Sequence, residues 1–134
     1  MKIVINTNVL VSAILSPYGV SAKVLSLVLN KKIKLVLDAR ISAEYEDVLQ
    51  RSKFGLEKKK VKIILDHIHD LAEKVMPSPV NTAMPDPDDK MFYEAALSGK
   101  TDHLITGNKK HFPKTLCKGV QVSSPQEFLE IYFK

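Results

Sequence analysis

Cysteine is nearly absent from this chain of 134 residues. The one thiol, Cys117, excludes an intrachain disulfide and any cysteine-based metal site. Glycine is scarce as well, with five residues, and none belongs to a glycine-rich phosphate loop of either common type. Long apolar runs are missing. The longest, Val9 to Leu15, is interrupted by Ser12 and falls far short of the roughly 20 residues of a membrane span. The first residues offer Lys2 and a strand-like run in place of an apolar leader with an Ala-x-Ala site, so no export signal is read. A cytoplasmic protein without membrane contact is expected. Arginine is rare too, with 2 residues against 18 lysines. Lysine attracts polyanions as a mobile point charge but lacks the rigid fork that reads guanine edges. A nucleic-acid partner would therefore be held by its backbone. The competing reading is that lysine simply keeps the protein soluble.

What is present is an ordinary globular composition: 45% hydrophobic, 26% charged, and a formal charge of +5. That length and mixture predict one domain over residues 1–134, able to bury a core without staples. Lys2-Ile3-Val4-Ile5 predicts a buried strand. Asn6-Thr7-Asn8 offers capping side chains for a helix over Val9 to Leu15, which Ser16-Pro17-Tyr18-Gly19 ends. Helical spacing returns from Ser21 to Asn30, and Ile33, Leu35 and Leu37 predict a second strand. Ser42 is the expected cap of a helix reaching Arg51. Leu56 to Lys74 reads as one long amphipathic helix. Four prolines between Met76 and Pro87 make that stretch a connector. A helix from Asp88 to Leu97, strands at His103–Ile105 and Val120–Val122, and a last helix capped by Ser123 or Ser124 complete the pattern. Strands separated by helices imply crossover connections and a parallel sheet covered on both faces.

In such sheets ligands gather beyond the carboxyl ends of the strands. Asn6-Thr7-Asn8 and Thr106-Gly107-Asn108 occupy two such ends. Asp86, Asp88 and Asp89 open the helix that leads to the second of them. Three carboxylates in four residues repel one another unless a cation sits among them. Helix capping accounts for one or two of these acids, stabilised by about 0.3–1 kcal/mol each at a helix N-terminus.

Ile3-Val4-Ile5-Asn6-Thr7-Asn8-Val9-Leu10-Val11-Ser12-Ala13 closely resembles the opening of PIN-domain proteins, where a short strand ends in Asp-Thr-Asn. Glu44-Tyr45-Glu46-Asp47-Val48-Leu49 resembles their second acidic motif. Asp86-Pro87-Asp88-Asp89 with Glu94-Ala95-Ala96-Leu97 resembles the third, and Leu104-Ile105-Thr106-Gly107-Asn108 the fourth. The four occur in order and span essentially the whole chain. The resemblance implies a three-layer α/β/α fold around a parallel sheet of four or five strands. It implies a ribonuclease dependent on Mg²⁺ or Mn²⁺, of the kind found as VapC-type toxins, with an RNA substrate and a separate antitoxin covering the pocket.

Carried over by position, the pocket would consist of Asn6, Glu44, Asp89 and Asn108, with Asp86 and Asp88 as outer metal ligands. Thr7, Asn8 and Thr106 would orient water or a carboxylate. Carboxylates suit the task because phosphodiester hydrolysis places negative charge on both the attacking and leaving oxygens, which hard divalent ions stabilise. The family has Asp where this chain has Asn6, and usually Asp where it has Asn108. The expected pocket charge falls from about −4 to about −2, which predicts weaker metal binding and a damped or silent enzyme. A silent domain that binds RNA or a protein is the alternative. A phosphoacceptor role is disfavoured, because the first strand ends in Asn6 instead of Asp. Lys109, Lys110 and Lys114 follow the fourth motif and are the expected RNA-phosphate contacts. His67 and His69, two apart on a helix, cannot pair as zinc ligands. Tyr18, Phe54 and Tyr132 are expected in the core or an interface, and a homodimer is an expectation for so small a domain.

Overall fold

Lys2–Ile5 forms a strand, β1, and lies in the middle of a parallel sheet. The computed structural model describes residues 1–134. On one side β1 pairs with β2 (Lys34–Leu37), which pairs with β3 (Glu73–Lys74). On the other it pairs with β4 (His103–Ile105), which pairs with β5 (Gln121–Ser123). The order is β3-β2-β1-β4-β5, and every pairing is parallel. Ile3, Val4 and Ile5 are all buried, as expected of a strand covered on both faces, where β-branched residues pack against helices above and below.

Six helices supply that cover: α1 (Thr7–Leu15), α2 (Val20–Leu29), α3 (Ala39–Leu49), α4 (Lys58–Leu71), α5 (Lys90–Ser98) and α6 (Pro125–Tyr132). Helix α2 packs on α1, α4 and α6, whereas α5 lies against β1, β2 and β4. This is the expected three-layer α/β/α arrangement. No helix is long and apolar enough to cross a membrane. The buried apolar residues form one continuous cluster, which the proline-bearing connector joins through Met84.

Local chemistry sets the boundaries, and three features depart from the sequence expectation. The cap of α3 is Asp38, whose carboxylate accepts from the Arg40 and Ile41 N–H groups at 2.9 and 3.0 Å, so the helix starts well before Ser42. The long helix expected to reach Lys74 stops at Leu71, and Glu73–Lys74 leave it to pair with Val36 and Leu37 as β3. A two-residue strand of opposite charges carries no apolar alternation to announce it. Tyr18, expected in a core or interface, is 96% exposed at the turn between α1 and α2. The last helix follows its signal closely. Ser124 Oγ accepts from the Glu127 N–H at 3.1 Å, and the Glu127 carboxylate accepts from the Ser124 N–H at 2.9 Å, completing a capping box.

The turns that return the chain from α2 to β2 and from α5 to β4 share one geometry. After α2 the Lys31 N–H donates to the Val28 carbonyl and the Lys32 N–H to the Leu27 carbonyl. After α5 the Lys100 N–H donates to Leu97 and the Thr101 N–H to Ala96. Both are Schellman motifs, whose left-handed position is usually glycine. Here lysine fills it twice, at φ 63° for Lys31 and 52° for Lys100. Gly99, one residue before Lys100, serves space: a Cβ there would stand 2.6 Å from Val36 Cγ1. A left-handed lysine costs on the order of 1 kcal/mol relative to glycine, partly offset by glycine's freer unfolded state. Lys100→Gly is therefore expected to raise the melting temperature by roughly 2–4 °C, measured by calorimetry.

Candidate functional site

Ile5 of β1 stands opposite Ile105 of β4, so the residues that follow, Asn6 and Thr106, emerge side by side at the carboxyl edge of the sheet. The Asn6 N–H closes the ladder on the Ile105 carbonyl at 2.9 Å, and its side-chain oxygen accepts from the Asn8 N–H at 3.2 Å to cap α1. Thr106 Oγ1 accepts from the Asn108 N–H at 3.2 Å. The Asn108 side-chain oxygen accepts from the Lys110 N–H at 3.1 Å and starts a short 3-10 turn over Lys109–His111. That turn delivers His111 to Asp89: Nδ1 and Oδ2 are 3.0 Å apart.

Asp89 ends a second 3-10 turn, Pro87–Asp89, directly before α5, and it is buried. Asp86 caps this turn by accepting from the Asp88 N–H at 3.0 Å, and both Asp86 and Asp88 are exposed. Burial pushes the Asp89 carboxyl above its usual range. The His111 charge pulls it down, Asp86 pushes it up again, and hydrogen bonding by His111 and Asn6 pulls down; burial prevails. Burial thus disfavours the charged form of Asp89, an effect that opposite charge nearby reduces. Next to Asn6, the Thr7 hydroxyl is buried and has no hydrogen-bond partner.

Glu44 lies in a neighbouring crevice of about 430 Å³, lined with it by Arg40, Asp88, Lys90 and Glu94 among others. Arg40 organises this crevice. Its guanidinium reaches Asp38 at 2.7 Å and Glu94 at 2.8 Å, and Glu94 also accepts from the Val80 N–H at 2.9 Å. Asp38 and Glu94 are buried. Burial raises the Glu94 carboxyl, but Arg40 and the Val80 N–H outweigh it and hold it below 4.5. The Tyr45 hydroxyl, one residue after Glu44, donates to the Ile5 carbonyl and ties α3 to the end of β1.

Of the residues expected from sequence, the fold brings Asn6, Asp89, Thr106 and Asn108 to the same sheet edge. Glu44 and Asp88 stand in the crevice beside them. Asn8 is exposed and its N–H serves the α1 cap. Lys109 is held by Glu127 at 2.9 Å; Lys110 and Lys114 are exposed. Asp38, Arg40 and the contact of His111 with Asp89 were not expected from sequence, and Glu94, part of the third motif, was given no role there. Asp38 directly follows β2 and was within reach of the strand-end rule. Nothing in sequence spacing links His111 to Asp89.

The donors here are oxygens of the hard kind that Mg²⁺ and Mn²⁺ prefer. No three His, Cys, Asp or Glu side chains converge at metal-ligating separation. A divalent ion would accordingly rest on one or two carboxylates and keep most of its water, as Mg²⁺ commonly does. The residues fit a hydrated ion better than a closed cage.

Residues 2–110 match the family model described as PIN domain. The chain belongs to the PIN-domain family. The uncharacterized protein MJ1680 of Methanocaldococcus jannaschii is 28% identical over 146 aligned positions, covering 100% of this PIN domain and 93% of that protein. Among solved structures, the fold is similar to VapBC2 from Rickettsia felis bound to a DNA fragment from its promoter. That match has a TM-score of 0.62 and 17% identity, covering 92% of this chain and 98% of that one. VapBC-1 from nontypeable Haemophilus influenzae matches with a TM-score of 0.61 and 17% identity, covering 94% and 99%. At such identity the likeness is one of fold.

Two outcomes follow from these electrostatics. Because Glu94 is held below 4.5, its contribution is complete above that pH and is lost as pH falls through its folded-state value. Glu94→Gln should therefore flatten the acid limb of the stability curve below pH 4.5, followed by urea unfolding. Mn²⁺ at ten times its dissociation constant should stabilise this PIN domain by about 1.4 kcal/mol. In Asp89→Asn the thermal shift with Mn²⁺ should vanish.

Proposed function

We propose that this PIN domain hydrolyses RNA phosphodiesters with the help of Mg²⁺ or Mn²⁺, as the toxin half of a toxin–antitoxin pair. The observation that carries the reading is the meeting of Asp89, Asn6 and His111 at the carboxyl edge of β1 and β4, in a chain that belongs to the PIN-domain family. The VapBC assemblies with the same fold are the basis for proposing an antitoxin partner. The antitoxin would cover the acidic edge.

A bound divalent ion would supply charge neutralisation at the scissile phosphate and a water of lowered pKa. Asp89 would hold it, with the Asn6 side-chain oxygen assisting and Asp86 adding negative charge from the outside. His111, whose Nδ1 lies 3.0 Å from Asp89, would stand beside the reacting phosphate as a hydrogen-bonding group. Arg40, fixed by Asp38 and Glu94, sets the position of α3 and hence of Glu44. Lys110 and Lys114 would contact RNA phosphates, with Lys109 joining them when it leaves Glu127.

Asn6 makes the site poor in charge, so cleavage by this sequence is expected to be slow. The alternative, a domain that binds RNA or a protein without cutting, is favoured by one observation: His111 and Asn6 already offset part of the Asp89 charge. An RNA cleavage assay in Mn²⁺ separates the two. Asn6→Asp should raise the rate by about tenfold or more, and Asp89→Asn should abolish it. Equal rates for the wild type and the Asn6→Asp variant would remove position 6 from the chemistry. No cleavage by either form would favour the silent domain.

A further inference from the structure

At the opposite end of the sheet, where the strands begin, lies an open groove of about 490 Å³. Lys31, Lys32 and Lys34 line it against a single acid, Asp70, over an apolar floor that includes Val28 and Ile33. All three lysines are exposed. The Lys34 ammonium donates to the Leu71 carbonyl at 3.4 Å, which leaves it further N–H groups for a ligand. We propose that this groove is a second binding site, taking the phosphate backbone of a single-stranded nucleic acid at the end of the molecule remote from Asp89.

Lys31 carries the inference. It holds the left-handed position of a Schellman turn, where glycine is the unstrained residue. A lysine needed only for solubility has no reason to sit there. A lysine needed for the helix dipole would serve equally from the last turn of α2, which contains no basic residue and imposes no strain. Positive charge is thus kept at a point where the backbone disfavours it, at the rim of a groove that two further lysines line. Lys100 repeats the arrangement at the start of β4, two strands away in the same sheet end. The groove offers no arginine fork and no aromatic platform, so it suits phosphates and not bases.

The choice of nucleic acid as ligand rests on the reading of the chain as a protein acting on RNA, whereas the groove itself does not depend on cleavage. Binding is therefore tested without it. A labelled strand of about 12 nucleotides, within the span of single-strand grooves, is titrated by fluorescence anisotropy in EDTA. A 2′-O-methyl backbone keeps the strand intact. Lys31→Gly is expected to melt a few degrees higher than the wild type, showing an intact fold. It should nevertheless bind at least about threefold more weakly, with a salt slope smaller by about 0.7, the loss of one phosphate contact. Lys31→Arg should keep both affinity and slope. Unchanged affinity and slope in Lys31→Gly would overturn the proposal. So would displacement of the strand by polyglutamate as readily as by unlabelled RNA, which would mark the groove as a protein-docking surface. A failure of cleavage in Mn²⁺ counts against the acidic edge and leaves the groove untouched.

Discussion

The acidic edge hangs from the pairing of β1 with β4. That ladder sets Ile5 opposite Ile105 and ends with the Asn6 N–H on the Ile105 carbonyl. One residue later, both chains turn into caps, Asn6 for α1 and Asn108 for the turn that carries His111. A slip of one residue would point Asn6 to the other face and move Thr106 away from it. The slip is opposed because Ile3, Val4 and Ile5 are buried against helices on both sides, so any other register exposes or clashes a β-branched side chain. Tyr45 adds a second tether by hydrogen-bonding the Ile5 carbonyl from α3. The position of every polar group at this edge is thus inherited from apolar packing.

Much of this was legible in the sequence, and the physical reason is periodicity. β1, β2 and β4 are short apolar runs next to capping or turn residues, and such runs have few other ways to bury themselves. The strand-end rule singled out Asn6-Thr7-Asn8 and Thr106-Gly107-Asn108, which do emerge side by side from β1 and β4. Other features were not legible. β3 has two charged residues and exists only because the chain, leaving α4, passes beside Val36 and Leu37. The true cap of α3 was hidden by Ser42, an equally good capping residue four positions further on. Asp38 wins because it stands where β2 ends and can also bind Arg40. Contacts between distant segments, His111 with Asp89 and Arg40 with Glu94, leave no trace in local spacing.

The two ends of the sheet divide the charge. At the carboxyl edge, Asp89 is buried, and burial raises its carboxyl above the usual range against the opposing pull of His111 and Asn6. Alongside it, Asp38 and Glu94 are also buried, yet their shared guanidinium resolves the conflict and makes them part of the frame. The distinction separates two carboxylates that share a guanidinium from one that has a histidine contact instead. At the amino edge the excess is positive and sits on flexible lysines over apolar ground.

The outermost strands are very short: β3 has two residues and β5 three. Each offers only a stub of unpaired main-chain groups, with Lys74 and Gln121 as exposed residues. Docking of a further strand onto either margin would gain few hydrogen bonds. The sheet is thereby a poor template for edge-to-edge aggregation, and the exposed apolar side chains Val20 and Phe133 lie at helix ends instead.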